Sequence, residues 1–440
     1  MPKKQPHEVE EKIRVDSEIK RRKNRYYEKV SDRYRTVGVL MILCLAVFGG
    51  ALLLKFGEYI TYDNFVYLIR DFNSVTDSAS DYTEVSYQAQ DSDVYVPFRD
   101  GFAAVGNSRV IVFDVGGSPL LTDEVSLSYP AAAASEKYLL VYDIGGTTYS
   151  LYNSITRVIK NETDMPIISA SVADDGSYII VTEGKESKYL VKLYNSAFKL
   201  KMTVRKDKYV TDAAISRDGE YFAVSSVYEE GAKFMGEVAF YKRGSDSEVS
   251  SYTYSTSMPI TAASHTGGGF TVLFDDAVRF YSENCESVGQ YEFSGERVTS
   301  FESRESGSIL ICEANSIGNT NRVYVFDTEG KITFDRLVAE RVYGACMSVS
   351  DKDVAAYIMT AESIISLAHD GADKVYPLYE GASALVDAAS GPLCFTPDRA
   401  FRFAFEKISD SETEEHTDEP SYETAESESV TDGAGEEPAA

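Results

Sequence analysis

Four histidines, five cysteines and two pairs of adjacent aspartates are the residues of this 440-residue chain whose types could do chemistry. A histidine among carboxylates points to acid–base work or a metal, and a C-x-x-C pair points to zinc or redox chemistry. Neither pattern assembles here. His7 lies in a basic N-terminal stretch and His416 in an acidic tail; His265 ends an apolar run before "TGGG" and His369 ends another. With no H-x-H or H-E-x-x-H around them, they read as turn or surface histidines. Cys44, Cys285, Cys312, Cys346 and Cys394 are widely scattered. Cys44 falls in an apolar run, and the cysteines read as small buried residues, in strands beyond that run. Asp275-Asp276 in "GFTVLFDDAV" is at most half of a cation site and fits a solvated hairpin turn. A G-x-S-x-G, a P-loop and a dinucleotide fingerprint are all missing. The sequence therefore offers no catalytic residue, no metal site and no cofactor.

The second pair, Asp174-Asp175, invites a metal reading only until its copy is found. "VADDGSYIIV" (172–181) returns as "ISRDGEYFAV" (215–224), with Asp175, Gly176 and Tyr178 matched by Asp218, Gly219 and Tyr221. A second signature recurs more often: "RVIVFDV" (109–115), "TYSLYNS" (148–154), "LVKLYNS" (190–196), "EVAFYKR" (237–243), "AVRFYSE" (277–283) and "RVYVFDT" (322–328). It aligns Phe113, Tyr152, Tyr194, Tyr241, Tyr281 and Phe326, and weaker copies follow at 363–369 and 400–406. Repeats about 40 residues long mean stacked units. Each unit alternates apolar and polar residues in short runs with Gly, Asp, Asn or Ser between them, which is strand period and turn chemistry. Four antiparallel strands per repeat make a propeller blade.

The elements that position any site are thus an all-β propeller of eight blades, alternatively seven. The small residues of "ISASVA", "TDAAIS" and "ITAAS" suit first strands crowded around an axis. The last unit offers three strands, "ALVDAAS", "PLCFTPD" and "AFRFAFEK", and lacks a fourth. "YTEVSYQAQ" (82–90) precedes the first full unit without a blade of its own, so it is expected to complete the last one and close the ring.

Charge divides the rest of the chain. Residues 1–35 carry 12 Lys/Arg against 7 Asp/Glu, 408–440 carry 12 Asp/Glu and no Lys or Arg, and the whole chain is −27. A molecule this acidic repels phosphate backbones, so no nucleic-acid partner is expected. Thr36–Leu54 runs uncharged through "TVGVLMILCLAVFGGALLL", long enough to cross a bilayer, with no cleavage pattern after it. The positive-inside rule sets the basic side in the cytoplasm and the remainder outside. The expected organisation is a basic cytoplasmic segment (1–35), a transmembrane helix (36–54), a juxtamembrane linker or helix (55–81), the propeller (82–408) and a disordered acidic tail (409–440).

With its basic N-terminus, single span, Tyr-rich juxtamembrane segment and degenerate blades with D-G turns, the chain resembles a family of bacterial single-pass membrane proteins with an extracytoplasmic propeller and a domain of unknown function. The resemblance covers roughly residues 20–407, implies an anchor and a propeller, and transfers no catalytic residue. The Trp-bearing signatures of WD40 and quinoprotein-like blades are missing, since the chain has no Trp.

The function expected is a binding or scaffold module at the cell envelope. It touches the bilayer through 36–54 and a protein or envelope polymer through one propeller face. A single-span receptor and an extracytoplasmic hydrolase are the alternatives. In an up-and-down blade the turns after strands one and three share a face and carry Asp175-Gly176, Asp218-Gly219, Asn153, Asn195 and Asp327. The irregular segments after strand two, at 183–189, 227–237 and 313–322, share the other. That face is the expected binding surface, through Lys185, Lys188, Tyr228, Glu229, Glu230, Lys233, Phe234 and Met235.

Overall fold

The computed structural model describes residues 6–56, 84–87, 94–293, 295–314, 319–389 and 391–403. Residues 57–81 of the expected juxtamembrane linker or helix (55–81) and the expected acidic tail (409–440) lie outside these. The basic and apolar N-terminal segments form one uninterrupted helix, α1 (Pro6–Phe56). Within it Arg14–Ala51 is long and apolar enough to cross a membrane, and none of its apolar window is buried.

The strands form eight four-stranded antiparallel sheets, each a blade. Blades 1 to 7 occupy 94–124, 130–162, 167–206, 209–255, 259–292, 297–338 and 344–377 in chain order. Blade 8 takes Ala384–Ala388, Gly391–Phe395 and Arg399–Arg402, and its outer strand is Glu84–Ser86 from the other end of the chain. Closure is fixed by the pairs Glu84↔Phe401 and Ser86↔Arg399. Tyr87 locks it by donating its N–H to the Asp398 carbonyl (2.8 Å) and its hydroxyl to the Thr396 and Arg399 carbonyls. The count is therefore eight, and the two weak copies are full members of the ring.

No blade has a core of its own. The buried apolar residues form eight clusters, each bridging two neighbouring blades. One joins Ile179, Val181 and Val191 of blade 3 to Val210, Phe222 and Val224 of blade 4. Another joins Val386, Leu393 and Phe395 of blade 8 to Phe102 and Phe113 of blade 1. A four-stranded sheet buried on both faces explains why second strands such as "YIIVT" and "FTVLF" lose the polar alternation of a half-exposed strand.

The six aligned aromatics have a shared geometry. In blades 1 to 6 the register between strands three and four shifts at Phe113, Tyr152, Tyr194, Tyr241, Tyr281 or Phe326. The outer strand bulges there, which adds twist where the blade splays outward.

Candidate binding face

The turns after strands one and three are built as their sequences require. Asp175 accepts from the Ser177 N–H at 2.8 Å beside Gly176 at φ 82°, and Asp218 accepts from the Glu220 N–H at 2.9 Å beside Gly219 at φ 68°. Asn153, Asn195 and Asp327 likewise accept backbone N–H groups two to four residues on. All five are Asx turns; a glycine takes the left-handed position in the three aspartate turns, and Phe198 takes it after Asn195 at φ 62°. The carboxylates are committed to backbone geometry and to neighbouring blades, as when Arg243 donates to Asp175 at 2.9 Å.

The segments after strand two leave the opposite rim, called here the hairpin face. In blade 4 this segment is not the irregular loop expected for 227–237. Tyr221–Glu230 and Lys233–Lys242 pair continuously up to Glu230↔Lys233, so the segment is the end of a β-hairpin of two ten-residue strands turned by Gly231-Ala232, with Gly231 at φ 66°. The alternation "SSVYEE" and "KFMGEVAF" prolongs the ladder. Phe234 does not fold back on its blade; it is 59% exposed, and Glu229, Glu230 and Lys233 are exposed beside it. Tyr228 and Met235 are directly paired and half-buried.

The hairpin is braced at its base. Lys206 of blade 3 is buried and donates to Glu237 (3.4 Å) and Glu248 (3.0 Å), while Lys208 also pairs with Glu237. Tyr241 donates its hydroxyl to Glu248 at 2.7 Å. Burial pushes the Glu248 carboxyl up, but the Tyr241 hydroxyl and the Lys206 ammonium outweigh it and hold Glu248 below the ordinary value. Lys208 covers the Tyr228 ring at 4.2 Å, and Lys188 covers the Tyr209 ring at 3.9 Å. The structure thus brings Lys188 and the hairpin to one corner of blades 3 and 4. Lys185 stands exposed in the blade 3 turn without an ion pair among the described residues.

Tyr209, Met258 and Ile260 join this corner and were not singled out from sequence. They are 57%, 38% and 50% exposed at or just before the starts of first strands, which the alternation alone places indoors. The signal that finds them is topological, because a first strand begins on the hairpin face. The exposed aromatics among the described residues of the propeller are Tyr129, Tyr209, Phe234 and Tyr343. All four lie on this face.

The axis holds a cavity of about 970 Å³ lined by first-strand residues such as Ala133, Ser171 and Ala263. Three of its carboxylates tie neighbouring blades together. Asp212 accepts from Thr261 Oγ1 (2.8 Å), the Ala262 N–H (2.9 Å) and the Ser169 hydroxyl, tying blade 4 to blades 5 and 3. Asp387 of blade 8 accepts from the Ser350 N–H and hydroxyl of blade 7, and Glu302 of blade 6 from the Met347 N–H of blade 7. Asp275 and Asp276 are similarly held, by the Met258 N–H and by the Ser257 hydroxyl with Arg279. Among the described residues no three His, Cys, Asp or Glu side chains converge as a metal site would need.

His265 is a turn residue but not a surface one. It is buried, with Nδ1 3.3 Å from the Thr266 carbonyl and its ring beneath Gly269, where a Cβ would sit 2.3 Å from Cε1. Burial lowers its pKa. Cys285 is buried yet lies in a turn at φ 62°, not in a strand, its side chain directed into the cluster with Phe240 and Tyr281. Burial pushes its thiol up to about 11 and those of Cys312 and Cys394 to about 12.

Residues 73–374 match a family described as "Family of unknown function (DUF5711)". No curated protein matches the sequence. Among solved structures, the chain is similar to BamB from Moraxella catarrhalis, with a TM-score of 0.48 at 10% identity over 73% of this chain and 99% of that one. It is also similar to the Pan2 WD40 domain of Neurospora crassa, with a TM-score of 0.42 at 7% identity over 72% and 88%. The β-propeller domain of Cps50 (Swd1) from Myceliophteria thermophila gives a TM-score of 0.41 at 10% identity over 70% and 98%.

Proposed function

From the premise that this chain belongs to the DUF5711 family, we propose that it is a membrane-anchored propeller acting as a binding or scaffold module through its hairpin face. The anchor is the apolar part of α1, with the basic flank in the cytoplasm and the propeller outside, as the positive-inside rule directs. The partner is a protein or an envelope polymer. The observation that carries the reading is the gathering of Tyr129, Tyr209, Phe234 and Tyr343 on one rim. Exposed aromatics are the side chains that anchor interfaces most often, and the long blade 4 hairpin lifts Phe234 clear of its own sheet. The braced base keeps that hairpin rigid, which lowers the ordering cost of binding.

Two other readings differ in support. A hydrolase draws little, because the axial carboxylates Asp212, Asp387 and Glu302 are already hydrogen-bonded between blades. A single-span receptor draws on the unbroken helix Pro6–Phe56, which would couple the basic segment rigidly to the span.

A photo-crosslinking amino acid in place of Phe234, activated in intact cells, tests the proposal. Discrete adducts that disappear when Met235→Ser and Tyr209→Ser are added support it. If adducts form equally well from a position on the opposite rim such as Lys352, the hairpin face is not the binding surface.

A further inference from the structure

We propose that the outer edge of blade 3 is a docking surface for anionic phospholipid headgroups, resting on the reading that α1 anchors the chain in a bilayer. Residues 184–208 hold eight Lys or Arg and only Glu186 and Asp207 as acids, inside a segment, 36–407, whose net charge is −20. This stretch is the outer half of one blade, the strands Tyr189–Tyr194 and Leu200–Lys206 with their turns. Lys206 and Lys208 are used internally, as described above. Lys185, Lys199, Lys201 and Arg205 are exposed and Lys192 is half-exposed; none of the five makes an ion pair among the described residues. Leu200, 51% exposed, lies between Lys199 and Lys201.

Lysines on an edge strand also discourage strand addition, but that role does not require so few nearby acids. On the outer halves of other blades several cations are paired, Arg157 with Asp123, Arg322 with Asp335 and Arg336 with Asp373, while Lys160 of blade 2 makes no ion pair among the described residues. Blade 3 alone gathers five unpaired ones on its outer half. An acidic molecule presents this single edge to a polyanion, and repulsion turns the other edges away. The polyanion held permanently within reach is the anchoring bilayer, since the 27 residues of 57–83 span at most about 90 Å. Basic side chains flanking an exposed leucine also match the interfacial layer, where cations meet phosphates and a short apolar group enters the acyl boundary.

The test uses the full chain in nanodiscs of phosphatidylcholine alone or with phosphatidylglycerol, footprinted with an amine-reactive ester and read by mass spectrometry. Labelling of Lys192, Lys199 and Lys201 is expected to fall about fivefold in the anionic discs, which corresponds to ~1 kcal/mol for a cation at an anionic surface. Labelling of Lys352 is expected to stay unchanged, and high salt is expected to restore the patch. The combined variant Lys192→Glu, Lys201→Glu, Arg205→Glu, with thermal unfolding checked, should label at Lys199 equally in both discs. Equal labelling of the wild-type patch in both discs overturns the proposal. So does equal protection by a soluble acidic polypeptide over phosphatidylcholine discs, which would make the partner an acidic protein. Failure of the chain to co-elute with either disc overturns the anchor itself and is read separately, before footprinting.

Discussion

Lys206 and Glu237 show how a side chain that looks like surface chemistry becomes architecture. Both are buried, and together with Lys208, Glu248 and Tyr241 they join blade 3 to the hairpin strand of blade 4. Lys206→Met removes one cation from this group while Lys208 continues to neutralise Glu237. We expect a loss of about 2 kcal/mol in urea unfolding, below the ~3–5 kcal/mol of an isolated buried pair. Glu248 gives the group a pH signature. Its folded pKa lies below its unfolded one, so its stabilisation is complete above about pH 4.3 and is lost as the pH falls from there toward the folded value. The urea midpoint of Glu248→Gln should therefore drop less than that of the wild type on acidification. Parallel curves for the two proteins would show that Glu248 is not coupled to folding. None of this network was legible beforehand. Its members are separated by up to 42 positions, and only the contact of two blades makes them neighbours.

At the scale of the element, repeated glycines and aromatics set the blade. Gly101 and Gly307 open second strands in blades 1 and 6, and a Cβ at either would stand 2.1 Å from the carbonyl oxygen of Phe113 or Phe326. That carbonyl belongs to the aligned aromatic at which the outer strand bulges. Gly307→Ala must push the two strands apart, so we expect a cost of about 2 kcal/mol in thermal or urea unfolding. Phe234→Ser, on the exposed hairpin, should leave stability within ~0.5 kcal/mol, which keeps it usable as a binding probe. The strands and Asx turns of each blade were legible because period two, Asp-Gly and Asn are local signals. The length of the blade 4 hairpin was misjudged because "YEEGAKF" is polar. Polarity marks exposure, and an exposed ladder carries the same signal as a loop.

Ring closure governs stability at the scale of the whole molecule. The strand Glu84–Ser86 and Tyr87 cover the outer edge of blade 8, which would otherwise offer Arg399–Arg402 as an open edge. A chain lacking residues 1–93 should show a lower unfolding temperature and concentration-dependent oligomers by light scattering. A monomer of unchanged stability would mean that the closure is dispensable. The amino-acid sequence by itself determined the repeat, the blade, the small residues at the axis, the closing strand and an apolar stretch able to cross a bilayer, since each depends on periodicity or composition along the chain. The tertiary structure alone decided that eight blades and not seven close the ring, because the degenerate seventh and eighth copies are recognisable only by their pairing. It also decided which charges are free. Asp212, Asp387 and Glu237 are consumed between blades, whereas Lys192, Lys201 and Arg205 are left facing solvent. That difference depends on which side chains adjacent sheets bring within hydrogen-bonding distance, and distance in space is the one quantity a linear order of residues does not contain.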